Sequence, residues 1–332
     1  MYKISAQCIQ DVEFKAEIVN NASLSGCDVT GDLVAVSVDI DEYEDFFRSL
    51  FELFDLDPNG ESAVHIIQSR YSFFTHEEYG NQILDYFASK GIAKYASVDK
   101  VAFLPDIQER MNVWEEIKKK VKFQSRYLVD LDDYELEKLV DIDTSLAPGT
   151  RLYRARIVPE GHKYLQKDAM GVPPTQKAIA GRANPIGIPY LYLCKDVDTT
   201  YYEVRAALQD RISVGSFITA RELSIVSFDS NISLYEEYAS SGNLVDGIVR
   251  KRVLESIRVD LSKPLRRYDT ELDYVPTQFI CEYCRIKLHA DGVTFESSLH
   301  PGGQNYVLFS PDAVICQLVK THTVDQIVIK AT

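Results

Sequence analysis

The spacing of apolar residues in the first part of the chain predicts one strand followed by helices. Residues 33–40 (LVAVSVDI) form a short apolar run typical of a strand. Asp39 or Asp41 then caps a predicted helix, whose apolar residues recur at i, i+3, i+4 and i+7: Tyr43, Phe46, Phe47, Leu50, Phe51 and Phe54. The sequence 57–60 (DPNG) predicts a turn that ends this helix. Further helical patterns occupy residues 61–72, 76–89, 105–121 and 131–140.

From Arg151 onward the pattern changes to short β-prone runs separated by Pro/Gly loops and helices. The predicted strands are residues 151–157, 190–193, 224–228, 305–309 and 326–329. The predicted helices are residues 199–208, 232–239, 242–259 and 276–288. Because no regular strand–helix–strand period is visible, we expect an α+β fold rather than a doubly wound α/β fold. The sequence 146–150 (LAPGT) predicts a boundary between a mostly helical domain, residues 1–147, and an α+β domain, residues 148–332.

Composition narrows the class of protein. The chain has 332 residues, 45% of them hydrophobic, which is long enough for two cores. Its net charge of −14 disfavours general binding of DNA or RNA. The N-terminal residues carry charges throughout and no apolar stretch approaches the length of a membrane span, so we expect a cytoplasmic protein. The four lysines within residues 114–123 are interpreted as a solvated helix face.

The six cysteines do not predict a disulfide scaffold in a chain of this size. Cys281 and Cys284 have metal-like spacing, but no second Cys or His pair follows at the spacing of a zinc site. They share one face of a predicted helix, which favours a place in the core. We therefore expect no metal.

The candidate site residues include an arginine in a Gly/Asn/Pro loop and a glutamate that follows the next predicted strand. Arg182 lies in the loop 181–189 (GRANPIGIP), where a guanidinium can reach a ligand's phosphate oxygens. A Tyr-rich strand follows, and then Glu203 among Tyr and Val residues. Because a buried unpaired carboxylate is costly, Glu203 is expected to be paired or used. With the Ser-Ser and Gly-Gly segment at 297–303, these residues predict a pocket for an anionic ligand with one catalytic acid.

The order and spacing of these motifs carry a family resemblance. The matching pieces are residues 152–154 (LYR), the loop 181–187, Tyr192 ten residues after Arg182, Glu203 eleven residues further, and the segments 291–298 (DGVTFESS) and 302–309 (GGQNYVLF). Residues 150–332 thereby resemble a RES domain, a family named for its Arg, Glu and Ser residues. Its members include toxins of bacterial toxin–antitoxin pairs that consume NAD. Their fold is similar to that of ADP-ribosyltransferases.

The resemblance implies roles for individual residues, with NAD as the substrate. The implied catalytic residues are Glu203, Arg182 and Ser297. The implied substrate-binding residues are Arg154, Tyr192, Arg156, Asn184 and Ser298. The arginines would hold the pyrophosphate, while Glu203 would stabilise positive charge on the ribose, orient its hydroxyls or activate water. The nicotinamide–ribose bond would be cleaved with water or inorganic phosphate as the acceptor.

Each of these residues also has a structural interpretation. Arg154 or Arg182 could pair with an acidic side chain. Glu203 could be a glutamate at a helix N-terminus, after a cap at residues 198–200. Ser297 and Ser298 could belong to an ordinary polar loop. We do not expect a nucleophilic serine, because no histidine has suitable spacing and His300 more simply lines the loop. Within the same pocket, the alternative reaction is ADP-ribosyl transfer to a protein.

The N-terminal half is similar to the HEPN/RES-type helical domain that accompanies some RES domains. That resemblance rests on residues 24–31 (LSGCDVTG) and the Phe-rich helix after them. Arg70 and His76 have the loose spacing of HEPN-type ribonucleases, although the acidic composition argues against an RNA substrate. The alternative is a regulatory module that binds an antitoxin or another neutralising protein, or that controls assembly into a homo-oligomer. Two departures from the resemblance are Ala183, where many RES domains have Trp, and the absence of Cys pairs near Cys27.

Overall fold

The computed structural model describes residues 2–28, 31, 33–126, 129, 134, 136–229, 232–263 and 270–326. The chain divides into two compact units, residues 1–112 with 231–252, and residues 113–230 with 253–332. The described residues combine a helical N-terminal part with a large mixed sheet in the C-terminal region, which confirms the α+β class. The domain boundary predicted after residue 147 lies inside the second unit and stays a prediction.

The helices of the described residues are, in chain order, α1 (Val12–Asn21), α2 (Glu44–Phe51), α3 (Ala63–Tyr71), α4 (Glu77–Ser89), α5 (Pro105–Met111), α6 (Val113–Phe123), α7 (Leu136–Leu139), α8 (Val197–Glu203), α9 (Leu234–Ser241), α10 (Leu244–Ser262) and α11 (Glu271–Ile286). The strands are β1 (Lys3–Ser5), β2 (Leu24–Cys27), β3 (Leu33–Asp39), β4 (Phe54–Glu61), β5 (Val101–Phe103), β6 (Thr144–Leu146), β7 (Arg151–Ile157), β8 (Leu191–Cys194), β9 (Arg211–Thr219), β10 (Leu223–Ser227), β11 (Gly292–Glu296), β12 (Gln304–Leu308) and β13 (Val314–Thr323). Among the described helices, none has the length and apolar character needed to cross a membrane.

The first unit packs helices around a phenylalanine-rich core. Strand β3 and helix α2 confirm the strand predicted at 33–40 and the helix predicted after it, and the buried face of α2 is the predicted one. Phe14 of α1 lies against this face, with its ring centroid 5.2 Å from that of Phe46. The predicted end of the helix was wrong. Helix α2 ends at Phe51, and Phe54 and residues 57–60 belong to β4, whose pairing with β5 shifts between Leu56 and Glu61.

The other helices predicted in the first part of the chain agree with the structure to different degrees. Helices α3 and α4 confirm the patterns at 61–72 and 76–89. The pattern at 105–121 divides into α5 and α6, because the chain turns at Asn112. In the pattern at 131–140 the structure describes α7, whereas residues 131–133 and 135 lie outside the described residues.

The second unit is built on an eight-stranded sheet in the described residues, with the order β13-β9-β7-β8-β12-β11-β10-β6. Its neighbours are antiparallel except for β10 and β11. Four predicted strands are confirmed as β7, β8, β10 and β12. Residues 327–329 of the fifth lie outside the described residues. The apolar core includes Leu152, Leu191, Phe217, Ile225 and Leu308 from five strands.

The sheet order brings distant parts of the sequence together. Strand β8 lies between β7 and β12, so that Asn305 is opposite Cys194 in the ladder. Helix α8 starts three residues after β8 ends, and it ends at Glu203. Strand β12 also pairs with β11, which leads into Ser297. The topology therefore assembles the predicted Arg, Glu and Ser motifs on one part of the sheet.

Candidate active site

The loop that carries Arg182 is held by a tyrosine from the next strand. The hydroxyl of Tyr192 accepts a hydrogen bond from the backbone N–H of Ala183 (3.2 Å) and donates one to Asn184 Oδ1 (2.8 Å). The Asn184 amide donates to the carbonyl oxygens of Ile179 and Pro185, both at 3.1 Å. Burial raises the pKa of Tyr192. The polar groups of Tyr192 and Asn184 therefore shape the loop.

Arg182 is anchored to helix α11 and to the C-terminal part of helix α10. Its carbonyl oxygen accepts a hydrogen bond from Thr277 Oγ1 of α11 (2.6 Å). Its guanidinium donates from Nη1 to the carbonyl oxygen of Asp260 in α10 (3.3 Å) and lies 5.4 Å from the ring centre of Tyr274. A cation over an aromatic face and a helix carbonyl both hold a positive charge in place.

Glu203 ends helix α8, and its predicted place at a helix N-terminus was wrong. The helix begins after Asp196, whose carboxylate accepts hydrogen bonds from the N–H and hydroxyl of Thr199 at 2.8 and 2.7 Å. Glu203 is exposed rather than buried, yet it is paired. Its Oε1 accepts hydrogen bonds from Ser297 Oγ (2.7 Å) and Asn305 Nδ2 (2.8 Å). Oε2 has no hydrogen-bond partner within the described ranges.

Ser297 closes a turn and orients the glutamate. It is buried, and its N–H donates to the carbonyl oxygen of Gly303 (2.8 Å). Its hydroxyl oxygen accepts the N–H groups of Leu299 and His300, both at 3.2 Å, and its proton points to Glu203. The imidazole of His300 instead stacks on the ring of Tyr202, and its Nδ1 lies 2.8 Å from Thr199 Oγ1. The arrangement is that of a positioning serine.

Sequence reasoning gave no role to Asn305. Its Oδ1 accepts a hydrogen bond from the thiol of Cys194 (3.3 Å) and its Nδ2 donates to Glu203, so both ends of the amide are defined. Burial raises the pKa of the Cys194 thiol, which keeps it protonated and able to donate. The available signal was a polar amide near the start of β12, two residues after the Gly-Gly turn.

Arg154 and Arg156 lie two residues apart on β7 and share one acceptor. Arg154 Nη1 and Arg156 Nη2 donate to the carbonyl oxygen of Gly171 at 3.0 and 2.7 Å, and Arg154 also donates to Met170 O (3.3 Å). Burial, and secondarily the charge of Arg156, lowers the pKa of Arg154 to about 10. Neither guanidinium has a carboxylate partner among the residues that the structure describes. A partly buried positive charge without a counterion favours an anionic ligand.

A cavity of about 490 Å³ joins these groups. Its described lining carries four cations and a single carboxylate: Arg154, Arg182, Arg205, Lys263 and Glu203. Aromatic side chains complete the wall: Tyr190, Tyr192, Phe295 and Tyr306. This cation excess stands out in a chain with a net charge of −14. The volume lies in the range of small-molecule sites, and the charge selects an anion.

The sequence model of the RES domain family matches residues 151–326, which is more than half of the chain. The chain belongs to the RES domain family. The crystal structure of the M. tuberculosis MbcT–MbcA toxin–antitoxin complex is similar at 16% identity, covering 58% of this chain and 94% of that chain. The TM-score of this match is 0.33. No match was found among curated proteins. The family match begins at residue 151, so the HEPN/RES-type resemblance of the N-terminal half stays a prediction.

The cavity of about 490 Å³ brings most of the predicted site residues together. On its wall lie Arg154, Arg182, Asn184, Tyr192, Glu203 and Ser298. Ser297 and Arg156 are not part of that lining. Ser297 donates a hydrogen bond to Glu203, and Arg156 donates one to the carbonyl oxygen of Gly171. The Ser298 hydroxyl donates to the carbonyl oxygen of Ser262. The position that many members fill with Trp is occupied by the fully buried Ala183.

The other candidate residues from the sequence are buried in the core or contact aromatic rings. Cys281 and Cys284 are fully buried in α11, where the sequence placed them in the core. In the first unit, Arg70 lies over the ring of Phe103 and His76 contacts Tyr79. These contacts do not join Arg70 to His76. Among the described residues, no group of three or more His, Cys, Asp and Glu side chains could hold a metal ion.

Proposed function

We propose that this RES domain consumes NAD by cleaving the N-glycosidic bond between nicotinamide and ribose. One observation carries the proposal. Among the described residues that line the cavity, four are cations and one, Glu203, is a carboxylate, which two hydrogen-bond donors orient. A dinucleotide needs cations for its pyrophosphate, and the cleaved bond needs one carboxylate beside the ribose. The RES family, whose members include NAD-consuming toxins, supports the same substrate.

The residues of the cavity would divide the work between binding and chemistry. Arg154 and Arg182 would bind the pyrophosphate, since both guanidiniums lie on the cavity wall and each is held in place by a backbone carbonyl oxygen. Glu203 would face the ribose with Oε2 and stabilise the positive charge that develops as nicotinamide leaves. The same carboxylate would then accept a proton from the attacking water, or orient inorganic phosphate. Ser297 and Asn305 would hold Oε1 throughout.

A second reaction in the same cavity is ADP-ribosyl transfer to a protein. The observation that favours it is the exposure of Glu203, which leaves room for a bulky acceptor to approach the ribose. In either case, consuming NAD would harm a cell that lacked a restraint. We therefore propose a cytoplasmic toxin-like enzyme, neutralised by an antitoxin or regulated through the first unit.

The direct test is incubation of the purified protein with NAD, with nicotinamide release followed by chromatography. The proposal predicts stoichiometric release. Mass spectrometry of the second product separates the acceptors: ADP-ribose indicates water, and its 1″-phosphate indicates phosphate. Radiolabel from NAD on a protein band would indicate transfer. If nicotinamide is not released with water, phosphate or a cell extract as the acceptor source, the proposed function is wrong.

A further inference from the structure

A second cavity adjoins the first within the second unit. It has a volume of about 380 Å³ and lies among α6, the end of α10 and the start of α11. Helix α6 precedes the residues that the RES family model matches. We call this cavity the α6 cleft and define it by its charged lining: Glu115, Lys118, Lys119, Lys122, Arg182, Asp260, Lys263 and Asp273. The helix face interpreted from the sequence as merely solvated therefore borders a cavity.

The α6 cleft has more positive than negative charge. Five of its charged residues are cations and three are carboxylates. Asp260 accepts from Lys118 Nζ (2.8 Å) and from Lys263 Nζ, and Asp273 pairs with Lys122 (3.1 Å). Lys119 is exposed and has no hydrogen-bond or ion-pair partner in the described part of the chain. Phe123 lies on the rim with 71% of its surface exposed. Lys118 also pairs with Glu115, so three of the four lysines are paired with carboxylates. The ammonium group of Lys119, beside an open aromatic face, suits phosphate oxygens, and a nucleobase could stack on the ring.

Two cations belong to both cavities. Arg182 and Lys263 line the α6 cleft and also the cavity that contains Glu203. An anion in the cleft would attract the same two side chains and would add negative charge next to the first cavity. Like charges that share cations weaken one another's binding, and the coupling is reciprocal.

We propose that the α6 cleft is a second anion site, which binds a di- or triphosphate group and thereby weakens the binding of the anionic substrate in the neighbouring cavity. The binding itself is independent of the reaction, whereas its effect on the substrate rests on the proposed function. The phosphate group belongs either to a free polyphosphate or to a nucleotide whose base stacks on Phe123.

The fluorescence of Trp114 can report anion binding without a measurement of enzymatic activity. It is the single tryptophan of the chain, it is buried, and its Nε1 donates to Asp260 Oδ2 (2.8 Å) behind the cleft. Titration with tripolyphosphate should change Trp114 fluorescence saturably, and the affinity should fall as salt is added. Lys119→Gln should weaken binding by about tenfold, because it removes a charge-assisted hydrogen bond. Lys287→Gln, an exposed change away from both cavities, is the matched control.

A parallel titration with GTP separates the two sources of phosphate. If the base stacks, GTP binds more tightly than tripolyphosphate and Phe123→Ala removes the difference. If the affinities are equal in both proteins, free polyphosphate is the ligand class. The site is overturned if no saturable change occurs, or if Lys119→Gln and wild type bind equally. It is also overturned if Arg154→Gln abolishes binding while Lys119→Gln does not, since the anion then lies in the first cavity.

The coupling is tested by kinetics with NAD. Tripolyphosphate should raise KM for NAD without changing kcat, and Lys119→Gln should need about tenfold more of it for the same effect. Binding without a change in KM would overturn the coupling. If the protein does not cleave NAD, the proposed function fails, while the fluorescence titration still decides whether the α6 cleft binds an anion.

Discussion

Removing either donor to Glu203 should lower kcat for NAD cleavage and leave KM nearly unchanged. Ser297→Ala and Asn305→Ala each delete one of the two hydrogen bonds to Oε1, at 2.7 and 2.8 Å. A hydrogen bond to a charged group contributes about 1.5 to 3 kcal/mol. Because Glu203 is exposed, water replaces part of each lost bond, which favours the lower end of that range. At about 1.4 kcal/mol per tenfold, each variant should lose about tenfold in kcat.

The assay is steady-state nicotinamide release over a range of NAD concentrations. Ser310→Ala, an exposed serine at the other end of β12, is the matched control. The double variant Ser297→Ala/Asn305→Ala should lose at most about a hundredfold, since the two donors share one oxygen and their effects need not add. A KM increase at constant kcat would show that Glu203 binds the substrate without acting in the transition state. An unchanged kcat in both single variants would refute the positioning role.

Three further predictions concern the loop that carries Arg182, the binding of NAD by Arg154 and the stability of the protein in acid. Gly181→Ala should destabilise the fold by about 1 to 3 kcal/mol in thermal denaturation, because its Cβ would lie 2.5 Å from Asn184 Oδ1 and 2.8 Å from the Tyr192 hydroxyl. Arg154→Gln should raise KM for NAD by at least about tenfold in steady-state nicotinamide release. Asp260→Asn should cost about 3 kcal/mol in urea denaturation at neutral pH. Burial opposes ionisation of Asp260, but hydrogen bonds from Lys118, Lys263 and Trp114 hold its pKa below 3.8, so its contribution is present above pH 3.8 and is lost as the pH falls through the lower folded pKa. The difference between wild type and Asp260→Asn should therefore shrink in acid. Equal acid sensitivity of the two proteins, unchanged melting of Gly181→Ala or an unchanged KM in Arg154→Gln would contradict the corresponding argument.

The sequence predicted the parts of the site that depend on motif spacing. Ser297 lies far from Arg182 and Glu203 in the chain, and the resemblance to the RES family indicated that the three residues share a pocket. The sequence placed Glu203 at the wrong end of its helix, and this error has a local cause. Asp196 and Asp198 are both suitable caps, and the first is used because β8 ends at Cys194 and the chain turns immediately.

Contacts across the sheet were beyond sequence reasoning. The role of Asn305 depends on β12 pairing with β8, a contact between residues more than a hundred positions apart. Strand β9 was not predicted, because Ser213, Gly215 and Ser216 interrupt its apolar pattern, although it pairs with both β7 and β13. The cation surplus of the cavity was likewise hidden by the acidic composition of the whole chain, since charge at a site depends on which side chains the fold gathers.

The most direct test of the central claim compares Glu203→Gln with wild type in nicotinamide release from NAD. This substitution would keep the size of the side chain and remove the negative charge that we propose to act on the ribose. We predict a loss in kcat of at least about a hundredfold, with the fold intact by circular dichroism. Glu160→Gln, an exposed change outside the cavity lining, should retain the wild-type rate. Equal release by wild type and Glu203→Gln would contradict the account.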